Sequence, residues 1–379
     1  MLSFSESKVA LRRDLYAEVG EFAGLVSVVT RPLTEEVRRA CRLMFSGMSD
    51  QSPDIQEIRR SWPRFRAEEL DRFIRCAESL GYINRIGDRY ALVPDRLCPQ
   101  GLQDGRSSDV LEARPLKFRL DKWIANYEQI GRRLFTAENL IEAVCSGEAQ
   151  WPSVFGPEVR NCFDLGIADP DLFLLFNQAM YQANLLESHL VAASIESDDV
   201  LDVLDVGGGP GAWLDALSSE GVKLGRALNY EFYGTLPVMV KVRDTLGLPR
   251  GGFDFIGGNF FEQSDGHAGL FGLDPGDRFD LVSLNWILHD WSDDRCVEIL
   301  GKVKHHLKPN GFLVVQEALL PPSRLGRNTM GDMMILLQTG GTERTVGDFR
   351  RIFDLRNLSV KTVLDFGTRR SVLAVQANH

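Results

Sequence analysis

One histidine, His289, follows the apolar run Leu284-Asn285-Trp286-Ile287-Leu288 and leads into Asp290-Trp291-Ser292-Asp293-Asp294. The carboxyl end of a strand is where open α/β sheets keep their ligands, and imidazole is the side chain whose charge changes near neutral pH. Upstream, Val203-Leu204-Asp205-Val206 runs directly into Gly207-Gly208-Gly209-Pro210-Gly211; downstream come Glu317 and then Glu343. A ligand loop, a base and two carboxylates thus follow one another, an order that suggests a cofactor-dependent enzyme.

Glycines at 207, 208, 209 and 211 after a buried strand permit a tight turn that brings backbone close to a ligand at a helix N-terminus. The spacing departs from G-x-G-x-x-G, because Trp213 and Leu214 stand where a third glycine would fall, and no Lys-Ser or Lys-Thr pair follows. A dinucleotide or a nucleoside triphosphate is disfavoured.

The elements that must position these residues alternate from Val200 onward. Strands are expected at 200–206, 224–231, 253–257, 279–286 and 311–316, with a terminal hairpin of 359–365 and 371–375. Such alternation with helices predicts an α/β fold with a mostly parallel sheet covered on both faces. Before it, Leu70, Phe73, Ile74, Ala77 and Leu80 recur at helical spacing, and Gly81 is placed as a left-handed stop. Tyr82–Ile86 and Arg89–Leu92 flank Gly87-Asp88 as a tight hairpin. Helix plus hairpin reads as a winged helix. Its helix carries Glu68, Glu69, Asp71 and Glu78, which phosphates would repel, so packing or dimerisation is the expected use rather than DNA binding. The polar, glycine-bearing stretch Cys98–Ser108 reads as a connection, and apolar residues between Leu116 and Ala193 recur at helical intervals.

With 379 residues, 44% hydrophobic and 25% charged, the chain has material for two soluble cores. Its net charge of −10 works against a nucleic-acid partner. Six scattered cysteines without a C-x-x-C pair signal neither a zinc site nor a disulfide framework. No run reaches membrane-spanning length and the N-terminus lacks signal-peptide character, so a cytoplasmic location is expected.

Leu204–Gly211, Gly258-Asn259-Phe260-Phe261, Ile287–Asp293, Leu307–Gly311 and Gly340–Thr345, in this order, resemble the motifs of the S-adenosylmethionine-dependent small-molecule O-methyltransferases of plants and bacterial natural-product pathways. The resemblance covers nearly the whole chain. It implies a Rossmann-like class I catalytic domain with a seven-stranded sheet at 194–379, a helical connector contributing to the acceptor pocket at 116–193, and a mainly helical winged-helix dimerisation domain at 1–115. It further implies S-adenosyl-L-methionine as cofactor, held by Gly207, Gly208, Gly209, Gly211, Asn259, Phe260 and Asn285. Where the family carries an acid before Leu-Pro, this chain has Thr235, so Glu231 is the substitute candidate for the ribose hydroxyls. Asn259 replaces the usual Asp, and Asn285 stands where many relatives are basic.

By the same resemblance His289 is the catalytic base, flanked by Glu317 and Glu343. A phenol with a pKa of about 10 is protonated at neutral pH, and a neutral histidine held in one tautomer by a carboxylate is the natural group to deprotonate it. Phe176, Met180, Trp286, Met333 and Met334 come from segments that line the acceptor pocket in relatives, and methionine suits a flat aromatic ring. The expected partners are a small aromatic substrate and a second copy of the chain, with neither nucleic acid nor membrane. Asp290, as a strand neighbour of His289, is expected to face away from it; His306 is read as a helix-end residue favoured by the dipole; His267 and His305 receive no role. A metal on His289, Glu317 and Glu343 is disfavoured, because no further ligand is suitably spaced. Three other outcomes stay open: C-methylation ortho to a phenol, use of the cofactor without methyl transfer, and a ligand-sensing winged-helix regulator.

Overall fold

The alternation read from Val200 onward is realised as a seven-stranded sheet. The computed structural model describes residues 2–10, 31–46, 48, 52–93, 120–249, 251–263, 268–323, 325–326, 328–368 and 370–378. The connection expected at Cys98–Ser108, the boundary at 115, and Cys98 and His267 lie outside the described residues.

Two short strands, β1 (Ser3–Phe4) and β4 (Ile195–Glu196), pair with each other, and β2 (Ile83–Ile86) pairs with β3 (Arg89–Leu92). The main sheet contains β5 (Leu201–Val206), β6 (Leu224–Phe232), β7 (Asp254–Gly258), β8 (Phe279–Asn285), β9 (Leu307–Glu317), β10 (Leu358–Asp365) and β11 (Ser371–Ala377). Its order is β10-β11-β9-β8-β5-β6-β7, parallel from β9 to β7, with β11 antiparallel to β9 and β10 antiparallel to β11. The chain runs outward from β5 to β6 and β7 on one side and resumes at β8 on the other. This reversal opens a crevice at the carboxyl ends of β5 and β8, the ligand position of doubly wound sheets. Val203, Leu204, Val206, Leu281, Val282 and Leu284 are wholly buried, as central parallel strands require.

β9 starts four residues earlier than its apolar run. Pairing passes from Phe279↔Leu307 directly to Leu281↔Phe312, so Lys308-Pro309-Asn310-Gly311 bulges out of register. Asn310 takes a left-handed φ of 64° there. The polar tetrapeptide, at the start of the strand expected at 311–316, is a bulge inside β9.

Before the sheet, the helix Ala67–Ser79 buries Leu70, Phe73, Ile74 and Ala77 and ends at Gly81 with φ 73°, as the periodicity predicts. The β2–β3 hairpin follows on Gly87-Asp88. Glu69 faces inward rather than outward, paired at 2.8 Å with buried Arg72, so the helix presents less acidic surface than its sequence suggests. The 25-residue helix Pro170–Ser194 lies between this region and the sheet, and its residues join both cores. Met333, Leu336 and Leu337 of the helix Thr329–Thr339 pack among Leu70, Phe73 and Ile74, so a late segment completes the early helical core. Among the described residues Cys41, Cys76, Cys145, Cys162 and Cys296 are free thiols, and no helix is long and apolar enough to cross a membrane.

The strand ends and the helix Thr329–Thr339 are joined through a tight contact at Gly341. A Cβ there would collide with the His289 carbonyl oxygen and lie 2.9 Å from Thr339 Oγ1. Gly341→Ala should therefore cost about 1–3 kcal/mol of stability, whereas Gly276→Ala, where a Cβ meets nothing within 4 Å, should be near neutral. Urea unfolding of both variants checks this; equal midpoints would show that the contact is slack.

Candidate active site

The turn after β5 is shaped by glycine and fastened to β6. Gly207, Gly209 and Gly211 adopt φ of 73°, 53° and 94°. A Cβ at Gly208 would run into the Asp205 carboxylate and one at Gly211 into the Phe253 ring, while nothing lies within 4 Å of the Cβ position of Gly209. Gly207 N donates to Tyr230 O at 2.7 Å, Gly209 N to Glu231 Oε2 at 2.9 Å, and Asn229 Nδ2 to Gly209 O at 3.1 Å. Glu231 Oε1 accepts the Phe232 N–H at 2.9 Å and the Thr235 hydroxyl at 3.3 Å. Thr235, which stands where the family carries an acid, hydrogen-bonds Glu231 instead. Burial pushes the Glu231 pKa up, against the lowering by these hydrogen bonds. Phe260 stacks on Tyr230 at 6.0 Å between centroids, and its Cζ is 3.3 Å from the Gly207 Cβ position. Asn259 Oδ1 accepts the Phe261 N–H at 3.0 Å, and Lys302 Nζ donates to Phe260 O at 2.6 Å.

A row of buried acceptors crosses the sheet beside this loop. Asp205 Oδ2 on β5, Asn229 Oδ1 on β6, Asn285 Oδ1 on β8 and Gln316 Oε1 on β9 have no hydrogen-bond partner. Buried oxygens left unpaired are costly, and four on adjacent strands suit a ligand rich in N–H and O–H donors. Asp205 Oδ1 accepts from Ser283 Oγ at 2.6 Å and Asn285 Nδ2 at 3.3 Å. Even so, burial pushes Asp205 up to about 7. The sequence reading gives Asp205, Asn229 and Gln316 no role, because single polar residues inside strands carry no spacing signal of their own.

Beyond β8 the chain leaves the strand abruptly. Trp286 has φ 57°, unusual for an aromatic residue, and Leu288–Asp290 form a single 3₁₀ turn. Ile287 N and Leu288 N donate to Glu317 Oε1 at 3.2 and 2.8 Å, so the last residue of β9 caps the turn. His289 Nδ1 then lies 3.2 Å from Glu343 Oε1 and 3.5 Å from Glu317 Oε2. With both glutamates on Nδ1, Nε2 is left facing Asp290 Oδ1 at 3.7 Å. Strand alternation does not apply in a 3₁₀ turn, which corrects the expectation that Asp290 faces away. All four groups are largely buried. Burial alone would push the imidazole down, but Glu317, Glu343 and Asp290 outweigh it and raise His289 to about 10. Burial in turn raises Glu317 and Asp290, with His289 pulling each back. The ring thus holds its proton at neutral pH among acids that resist ionising fully. Ligand atoms of His289, Glu317 and Glu343 lie within 4.8 Å of one another, close enough to gather on one proton or one ion.

His306 does stand at the end of its helix, as expected, but the reading that the dipole favours it is corrected. It is fully buried, its Nε2 accepting the Leu270 N–H at 2.9 Å and its Nδ1 donating to Asp277 O at 3.0 Å, and burial lowers its pKa to about 4. A neutral ring has no charge to offer the helix dipole.

The segment carrying Glu343 is docked on the His289 turn by backbone. Thr342 N donates to His289 O at 2.9 Å, and buried Arg344 donates to Leu288 O and Trp291 O at 2.7 Å each. Trp286 sits with its ring centre 6.0 Å from His289, and the Arg370 guanidinium carbon lies 3.0 Å from the Trp286 centroid. Arg370, paired at 2.6 Å with buried Glu187, comes from the turn before β11 and has no local sequence signal. Phe176, Met180, Trp286 and Met334 are partly buried against the two adjoining cores; Met333 is wholly enclosed.

Loop, donor-poor sheet end and histidine turn together define the class. Residues 138–356 match the O-methyltransferase domain family, and the chain belongs to it. The mitomycin biosynthesis 6-O-methyltransferase of Streptomyces lavendulae is 27% identical over 309 residues, covering 79% of this chain and 78% of that enzyme. Human N-acetylserotonin methyltransferase in complex with S-adenosylmethionine superposes with TM-score 0.59 at 21% identity, across 96% of this chain and 98% of its own. An O-methyltransferase from neocarzinostatin biosynthesis, solved with S-adenosylmethionine and 2-hydroxy-5-methyl naphthoic acid, gives 0.53 at 21% identity across 93% and 96%. The fold is therefore that of the Rossmann-like class I methyltransferases.

Asp205 yields a pH test. A carboxyl raised from 3.8 to about 7 contributes stability that is complete below pH 3.8 and lost as pH rises through 7. Asp205→Asn keeps the shape and removes the titration. Its stability relative to wild type should improve by roughly 4 kcal/mol between pH 4 and 8, read from urea unfolding at both values. A difference independent of pH would show that Asp205 is ionised throughout.

Proposed function

We propose that the protein transfers the methyl group of S-adenosylmethionine to a hydroxyl of a small phenolic natural-product intermediate. The reading rests chiefly on one observation: both glutamates approach Nδ1 of buried His289, while Nε2 lies 3.7 Å from Asp290 Oδ1, beyond hydrogen-bond distance. Gly207, Gly208, Gly209 and Gly211 would take the donor against the backbone, Glu231 its ribose hydroxyls, Asn259 and Phe260 its adenine, and Asn285 with Asp205 its remaining N–H donors. When bound, S-adenosylmethionine supplies an electrophilic methyl group and a positive charge that weakens the hold of a nearby imidazole on its proton.

The neutral ring keeps N–H on Nδ1, directed to Glu343, and offers the Nε2 lone pair to the acceptor hydroxyl. The hydroxyl proton passes to Nε2, and the acceptor oxygen keeps the electron pair that forms the new bond. Glu343 and Glu317 stabilise the imidazolium so produced. Phe176, Met180, Trp286 and Met334, backed by Met333, hold a flat ring so that this oxygen meets the donor in line. The names of relatives, which span mitomycin biosynthesis and caffeic acid, support an aromatic acceptor.

His289→Ala should lower kcat by about 10²–10⁴-fold and leave S-adenosylhomocysteine affinity nearly unchanged. Wild-type turnover in that variant would reduce the mechanism to alignment alone. The acceptor is sought by mass-spectrometric screening of phenols and hydroxylated polyketides for a gain of one methyl, and fragmentation separates O- from C-methyl products. Substrate conversion without S-adenosylhomocysteine would refute methyl transfer.

Activity should also rise with pH as His289 gives up its proton. Glu343→Gln removes a negative neighbour, so the ring loses its proton at lower pH and the acid limb of kcat moves down. An unmoved limb would assign it to another group.

We further propose that the helix Ala67–Ser79 with the β2–β3 hairpin acts as a winged-helix platform for a homodimer. Ile86 of the hairpin, 68% exposed, supports this. Light scattering should give the mass of two chains; the mass of one would contradict it.

A further inference from the structure

Arg72 and Asp332 lie 260 residues apart in the chain and meet in the interior, 4% and 2% exposed. Arg72 Nε donates to Asp332 Oδ2 at 3.1 Å, and Nη2 donates to Asp332 Oδ1 and to the Asp332 carbonyl, both at 2.8 Å. Nη2 also donates to Gly341 O at 2.9 Å, and Nη1 to Glu69 Oε2 at 2.8 Å. A buried ion pair is seldom more stabilising than apolar side chains of the same volume. The planar fork of a guanidinium does offer fixed direction, which a greasy contact lacks.

That direction leads to the active site. Asp332 Oδ1, besides receiving Arg72, accepts the Glu343 backbone N–H at 3.0 Å and the Thr342 hydroxyl at 3.3 Å. Gly341 is gripped by the same guanidinium, and Thr342 N donates to His289 O. Residues 341, 342 and 343 are therefore pinned in succession, the last of them placing its carboxylate on His289 Nδ1. We propose that Arg72 is a positioning residue for the His289 site, acting through Asp332 to hold the Glu343 backbone where its carboxylate meets the imidazole. The early helical region is then a working part of the active site, because one of its side chains sets the geometry of a carboxylate met 271 residues later.

The proposal rests on the reading of Glu343 as the partner of His289, and its test separates the two without needing the acceptor. The titration midpoint of the His289 ring is followed by NMR on protein with ¹⁵N-labelled histidine, with His289→Ala identifying the signal. Three variants are compared: Glu343→Gln; Arg72→Lys, which keeps the charge but not the fork; and Arg72→Met with Asp332→Asn and Glu69→Gln, which leaves none of the three ions buried without a partner. Thermal melting reports that each is folded. Glu317 and Asp290 remain in place throughout, so a change at the ring isolates Glu343.

Both Arg72 variants should lower the His289 midpoint by about one unit or more, toward that of Glu343→Gln. If Glu343→Gln lowers the midpoint while the folded Arg72 variants titrate like wild type, Arg72 is only a structural tie and the proposal is overturned. If Glu343→Gln itself changes nothing, the pairing of Glu343 with His289 is wrong, and the proposal falls with it.

Discussion

Everything at this site follows from an imidazole buried among three acids. Were His289 charged and Glu317, Glu343 and Asp290 all ionised, the cluster would carry two excess negative charges away from water. Low dielectric makes that excess expensive, so the proton is retained on the ring and two of the acids are pushed upward. The arrangement is electrostatically incomplete without a further positive charge. In the reading proposed above, the positive charge of bound S-adenosylmethionine would offset that excess and favour the neutral ring.

Each member of the cluster is delivered by a different connection. Glu317 comes from the end of β9 and caps the 3₁₀ turn with one oxygen while facing the ring with the other. Trp286 turns the chain out of β8 in a strained conformation, backed by Arg370 from the turn before β11. Glu343 arrives after the helix Thr329–Thr339, whose apolar side belongs to the helical core. Strain of this kind persists only where the surroundings over-determine it. Here the backbone bonds of Arg344 and Thr342 to the same turn provide that constraint.

The sheet was legible because buried parallel strands are short apolar runs, and β5, β6 and β8 begin within a residue of where those runs begin. β9 was shortened because Pro309 and Asn310 are turn formers, and a bulge between paired segments looks the same from sequence. The glycine loop, His289 and the two glutamates stood out by residue type and order. Asp290 escapes the two-residue period of a strand because the chain has already entered the 3₁₀ turn. His306 was misread because its two partners, Leu270 and Asp277, come from a loop whose path no local pattern shows. Arg72 with Asp332, and Arg370 with Glu187, join segments far apart in the chain. Long-range polar pairs leave no periodicity, so only the folded geometry brings them into view.

The most direct measurement is a crystal structure of the protein with S-adenosylhomocysteine and a phenolic acceptor. The account predicts the thioether product in the crevice above Gly209 and the acceptor oxygen within hydrogen-bond distance of His289 Nε2, with Glu343 on Nδ1. A cofactor lodged away from the glycine turn, or an imidazole with Nε2 directed away from the acceptor, would contradict it.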